Sequence, residues 1–156
     1  TPYKGKVKYA LKTKSDYGYR VYIEYADCIM MFAHLAEFFV KEGQEVEAGE
    51  MIGIIGATGY GSSAHLHISA FSKRAPRLTA EFAIDPTFTL KLAPYYPTNT
   101  KISNGFGSKF CNPKLESHEG IDFSALEFID NWENKYIDPL YQDYRLVYDY
   151  PEEYAT

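Results

Sequence analysis

The chain is poor in cysteine, in tryptophan and in uninterrupted apolar sequence, and each shortage removes a class of protein. Two of its 156 residues are Cys and one is Trp. Cys28 and Cys111 are too few for a disulfide-stapled scaffold, nothing marks them as a pair, and they are not spaced as zinc ligands. No run approaches the ~18 apolar residues of a membrane-spanning helix. Positive charge is also in deficit. Lys and Arg total 16 against 21 Asp and Glu, a net charge of −5, which argues against a nucleic-acid partner because phosphate binding draws on clustered cations. The one basic cluster, Lys73-Arg74 with Arg77, is short and reads as a solvated loop. There is no signal peptide, but the chain starts at Thr1 rather than Met. It therefore reads as a processed or excised piece, and the lack of a targeting signal excludes little.

What is present points to strands. A hydrophobic share of 46 % with 24 % charged residues suits a globular domain, and the length allows one core with or without an appendage. Aromatics reach 17 %, with 15 Tyr, which favours β-rich packing over a sugar-stacking surface. Alternation predicts two strands within 3–25, carried by Val7, Tyr9 and Leu11 and then by Val21, Ile23 and Tyr25, around the turn at Ser15 to Gly18. Residues 28–34 read as a short buried strand ending at His34, and Met51 to Ile55 as another. Glu42-Gly43 and Ala48-Gly49 are turn-like, and Gly56 to Gly61 is too glycine-rich for regular structure. His65 to Phe71 alternates again. Residues 72–100, with four prolines, read as connecting material, and Tyr144 to Tyr150 as a further strand.

The four histidines, His34, His65, His67 and His118, all fall inside motifs. In a strand, positions two apart face the same way, so His65 and His67 present two imidazoles roughly 7 Å apart at the backbone. One can bind a metal while the other moves protons. His118-x-x-x-Asp122 offers a neutral nitrogen and a hard anionic oxygen, both good zinc donors. Three protein ligands would leave a fourth position for water, whose pKa a zinc ion lowers towards ~7. Either motif alone is a weak signal of a metal site; the two together, flanked by glycines, are much stronger.

On these residues the chain resembles the lysostaphin-type zinc endopeptidases, which cut peptide bonds in bacterial peptidoglycan. The similarity runs through Phe32-Ala33-His34-Leu35, Val40-x-x-Gly43-x-x-Val46-x-x-Gly49-x-x-Ile52-Gly53, Gly56-x-Thr58-Gly59 and His65-Leu66-His67. A second block, Ile102 to Gly107 and His118-Glu-Gly-Ile-Asp122-Phe-Ser-Ala125, resembles the family's first zinc segment. The resemblance covers about two thirds of the chain. It implies zinc held by His67, His118 and Asp122, with His34 and His65 as the catalytic pair. One of that pair would act as general base and the other would steady the oxyanion; which does which stays open.

The order of the motifs departs from the family, in which the His-x-x-x-Asp segment comes first. Three explanations fit: a circularly permuted domain with 101–125 folding back beside strand 65–71, the end of one copy joined to the start of another, or a site completed on a neighbouring chain. Permutation is the most economical, since each motif occurs once. Ala64 and Phe32 also differ from the usual proline and tyrosine, without removing a ligand.

The expected fold is mainly β, a central antiparallel sheet forming an active-site groove. Its peptidase domain spans 1–125 (core motifs 1–90, zinc segment 101–125), and 126–156 is a Tyr-rich acidic extension carrying Trp132 and six tyrosines. The expected function is zinc-dependent hydrolysis of peptidoglycan cross-bridges or stem peptides. The setting would be extracellular or virion-associated, as a module of a larger secreted or phage-tail protein. One rival is a degenerate relative serving as a non-catalytic peptidoglycan-binding scaffold, but such proteins typically lose ligands and all five site residues are here. The other rival, a biotinyl or lipoyl carrier barrel, shares the spaced glycines, but the chain lacks the hairpin lysine that such a carrier needs.

Overall fold

The computed structural model describes residues 1–14, 16–59, 64–91, 101–107 and 118–124. The expected extension 126–156, with its strand at Tyr144 to Tyr150, lies outside them, as do Gly61, Pro94 and Pro97. Nine strands form one mainly antiparallel sheet among the described residues. They are β1 (Gly5–Leu11), β2 (Tyr19–Glu24), β3 (Cys28–Phe38), β4 (Glu45–Val46), β5 (Gly53–Ile55), β6 (Leu66–Ser72), β7 (Ala83–Ile84), β8 (Lys101–Asn104) and β9 (Ile121–Ser124). Their order is β4-β1-β2-β3-β6-β9-β8, with β5 paired to β3 and β7 to β6. Among the described residues, helix is confined to a 3-10 turn, Ala80–Phe82, and one short α-helix, α1 (Thr87–Lys91). The mainly β expectation holds.

The continuous apolar run at 28–33 has a simple cause: the centre of the sheet is buried on both faces. Cys28, Met30 and Phe32 join Val7, Val21, Ile23, Ile68, Ile121 and Phe123 in the larger core. Ile29, Met31 and Ala33 point the other way and pack with Tyr22 and Phe71 in a smaller one. At roughly 1.5–3 kcal/mol for each large apolar side chain taken fully out of water, these strands are the stable floor of the molecule.

Three sequence expectations need correction. The strand predicted to stop at His34 runs through it to Phe38. The strand predicted from Met51 is shorter and starts at Gly53. Residues 72–100 are more than connecting material, because β7 pairs with β6, Ala70 opposite Ile84 and Phe71 opposite Ala83. The signal in all three cases was masked by local irregularity or by strands too short to show alternation.

The late segment joins the same sheet within one chain. β9 pairs antiparallel with β6, setting Leu66 opposite Phe123, His67 opposite Asp122 and Ile68 opposite Ile121. β8 then pairs with β9. Residues directly opposite share a face, so His67 and Asp122 both point to the side carrying Phe71, while Ile68, Ile121 and Phe123 fill the larger core.

Candidate metal centre and its histidine pair

Three donor atoms converge on the smaller-core side of the sheet. His67 Nδ1 lies 2.9 Å from Asp122 Oδ1, His118 Nε2 lies 3.2 Å from the same oxygen, and the two ring nitrogens are 3.1 Å apart. All three residues are buried, each about 3 % exposed. Four-coordinate zinc at about 2.0–2.1 Å from nitrogen and oxygen ligands requires neighbouring donors to be about 3.3 Å apart, so the triangle has the size and the donor chemistry of a tetrahedral site missing its fourth ligand. Two imidazole nitrogens and a carboxylate oxygen at this spacing can share protons, as the 2.9 Å His67–Asp122 hydrogen bond does, or jointly hold one cation.

The rings are held in place from behind. His67 Nε2 is 2.7 Å from the hydroxyl of fully buried Ser69, two residues further along β6 and on the same face. His118 Nδ1–H donates to the Gly105 carbonyl at 3.1 Å, which leaves Nε2 to face the cluster. The Gly107 amide donates to the His118 carbonyl at 2.7 Å, so the turn after β8 grips this residue at both ends. Gly120 explains the middle of the His118-x-x-x-Asp122 motif. A Cβ there would stand 2.7 Å from the His67 ring and 2.4 Å from the Ile68 carbonyl, so any side chain would expel the ligand.

The cluster keeps Asp122 ionised and favours a positive charge beside it. Burial by itself would raise the Asp122 carboxyl, but the hydrogen bonds from His118 and His67 outweigh it and hold the group well below the usual carboxylate range. Burial by itself would lower the His118 imidazole; Asp122 and the Gly105 carbonyl outweigh it and raise it.

His34 and His65 stand next to the triangle as a pair, ring centroids 4.7 Å apart. His65 Nε2 approaches Asp122 Oδ1 to 3.7 Å, and its side chain is 17 % exposed, against 4 % for His67. His34 is buried, and its ring lies 5.8 Å from that of His67. Its Nδ1–H donates to the Thr58 carbonyl at 2.8 Å, which leaves Nε2 as a proton acceptor. Burial, with the neighbouring imidazoles, pushes its pKa down to about 4 despite the Thr58 carbonyl, so the ring is neutral at pH 7.

A bulge places His34. Tyr19 and Val21 of β2 face Leu35 and Phe32 of β3, so β3 carries one extra residue there. Strict alternation from Phe32 would send His34 into the larger core; the extra residue turns it to the other face and returns Leu35 to that core. The turn is made with His34 at φ 61°, a left-handed conformation unusual for a side chain of this size.

All five sequence-predicted site residues are thus brought together within one chain. Sequence reasoning missed the supporting groups. Ser69 was detectable from the period of two after His67. Tyr17 gave no signal; its ring centroid lies 5.6 Å from that of His67 and its hydroxyl donates to Glu119, beside His118.

The sequence profile described as peptidase family M23 matches residues 1–78, half of the chain. The chain is 40 % identical over 78 residues to the glycyl-glycine endopeptidase ALE-1 of Staphylococcus capitis, covering 50 % of this chain and 21 % of that protein. It is 41 % identical over 58 residues to the DD-carboxypeptidase/endopeptidase Mpg of Neisseria meningitidis serogroup B, 36 % of this chain and 13 % of that one. Among solved structures, the catalytic domain of lysostaphin from Staphylococcus simulans superposes with a TM-score of 0.52 at 28 % identity, covering 57 % of this chain and 66 % of that domain. The chain therefore spans about a fifth or less of the curated relatives' lengths.

Proposed function

The chain belongs to peptidase family M23, and on that premise we propose that it is a zinc-dependent endopeptidase that cuts peptide cross-bridges or stem peptides of bacterial peptidoglycan. The observation that carries this reading is the convergence of His67 Nδ1, His118 Nε2 and Asp122 Oδ1 within 3.2 Å of one another, with two further histidines alongside. The relatives ALE-1 and Mpg, a glycyl-glycine endopeptidase and a DD-carboxypeptidase/endopeptidase, support peptide bonds of the cell wall as the substrate class.

In this reading His67, His118 and Asp122 hold the ion. Bound there, zinc would polarise the scissile carbonyl and acidify the attacking water. The residues around it supply the rest. His34, with Nδ1–H tied to Thr58, keeps Nε2 unprotonated and able to take a proton. His65 is more exposed than His34, and there its ring hydrogen can steady a developing oxyanion. Ser69 and Gly105 keep the ligand rings oriented.

The catalytic unit is residues 1–125, with the late zinc segment acting in cis through the β6–β9 pairing. A peptidoglycan substrate puts the working location outside the cytoplasmic membrane, in a secreted or virion-associated protein. No helix among the described residues is long and apolar enough to cross a membrane. The test is release of new amino termini from purified peptidoglycan by the zinc-loaded chain, on walls with glycine bridges and on directly cross-linked walls. Cleavage of either, lost on chelation and restored by zinc, is the expected result. A folded chain that binds zinc and cuts neither would overturn the reading.

A further inference from the structure

The motif Gly56-Ala-Thr58-Gly59 has no part in the metal triangle, yet it touches both histidines outside it. The Gly56 carbonyl accepts the His65 amide at 3.3 Å, and the two residues form an isolated β-bridge. The Thr58 carbonyl accepts His34 Nδ1–H at 2.8 Å. The Thr58 hydroxyl is fully engaged: it donates to the Leu35 carbonyl at 2.6 Å and accepts the Tyr19 amide at 3.0 Å. One side chain therefore stitches the loop to β3 just past His34 and to β2 across the bulge.

The opposite wall is built to let Thr58 approach. Gly18 lies at φ 60°, and a Cβ there would meet the Thr58 carbonyl carbon and oxygen at 2.4 Å. The neighbouring Tyr17 carbonyl accepts the His34 amide at 3.0 Å. His34 is thus held by its backbone amide, its ring nitrogen and its strained φ. Thr58 is tied to all of this through Leu35 and its own carbonyl. A left-handed residue in mid-strand persists only where its surroundings over-determine it, and these bonds provide that.

We propose that the Gly56–Gly59 loop is the positioning element for both histidines of the pair, with Thr58 as the positioning residue whose hydroxyl fixes the peptide that holds His34 in its Nδ1–H tautomer. The consequence for catalysis rests on the function proposed above. The positional claim does not. The hydroxyl bonds a β3 carbonyl and a β2 amide at once, so its removal takes a partner from each and lets the 58 carbonyl swing away from His34.

The test compares Thr58→Val with Thr58→Ser in the full chain, using three readouts: side-chain ¹⁵N shifts of His34, bound metal per chain, and kcat and KM on a soluble peptidoglycan fragment. For Thr58→Val the expected result is a mixture of His34 tautomers and unchanged metal content. Its kcat should fall about 10- to 100-fold, the scale of a misplaced catalytic group, with KM little changed. Thr58→Ser, which keeps the hydroxyl, should restore both the tautomer and kcat. A Thr58→Val protein with the wild-type tautomer overturns the proposal, as does one that loses metal in step with activity. If the zinc-loaded wild-type chain cuts no peptidoglycan, the proposed function fails; if His34→Ala proves fully active, the role given to His34 fails. In both cases the ¹⁵N shifts still decide whether Thr58 positions the ring.

Discussion

The metal triangle and the histidine pair occupy the same face of the same sheet and are built by opposite means. Two corners of the triangle are made of regularity, and the third, His118, is held by the turn after β8. His67 and Asp122 are register partners on β6 and β9, and Ser69 supports His67 from the next position on the same face. The pair is made of exceptions: a bulge in β3, a left-handed His34, an isolated bridge at His65 and a loop carbonyl as ring acceptor. In the function proposed above the contrast follows from the tasks. A metal ion of fixed size would be held well by rigid strands whose spacing repeats. Groups that move protons beside it would have to be aimed across the pleat, which strand geometry alone does not allow.

Removing a member of the triangle should have the largest effect. His67→Ala is expected to bring bound zinc close to zero and to abolish cleavage, with the fold kept because the cores below do not depend on the site; metal analysis and circular dichroism check both halves. A variant that kept stoichiometric zinc would show that the triangle is not the site. Breaking the pair should separate activity from metal. His34→Ala and His65→Ala are each expected to lose roughly 10²- to 10⁴-fold in kcat, the usual contribution of a positioned acid or base, at unchanged zinc content. Near wild-type cleavage by either would remove that residue from the chemistry.

Smaller changes sharpen the contrast. Ser69→Ala should weaken zinc about 10- to 100-fold, as loss of a ligand's outer hydrogen bond typically does, visible in a competition titration with a chromophoric chelator. If affinity is unchanged, His67 is oriented by packing alone. Gly18→Ala should cost stability on the order of 1–3 kcal/mol for a left-handed alanine pressed against Thr58, measured by urea unfolding. Its zinc affinity should stay near wild type, because the damage falls on the pair's side. Equal damage to zinc affinity would mean the two regions are one mechanical unit.

The same contrast explains what the sequence revealed. β1, β2 and β6 alternate, and the run at 28–33 is apolar throughout because both faces of β3 are covered. Period-two reasoning therefore found the sheet, and it found His67 as a strand residue. The five candidate site residues were legible because each sits in a compact motif. The bulge was not. An extra residue in a strand leaves no compositional mark; strict alternation across it would point His34 to the wrong face, and the sequence reading ended the strand there. The β4 and β7 strands were missed for a different reason, since two residues each are too few to alternate. The late position of His118 and Asp122 made their meeting with His67 a question of connectivity, which only the β6–β9 register answers.

The central claim is that one chain assembles a complete site from His67 and the late pair His118 and Asp122. Metal stoichiometry measured on the purified chain under dilute, monomeric conditions tests it most directly, with an equimolar mixture of His67→Ala and His118→Ala as the control for sharing between chains. The account predicts one zinc per wild-type monomer and none recovered in the mixture. A folded monomer that takes up no zinc, or a mixture that regains it, would contradict it.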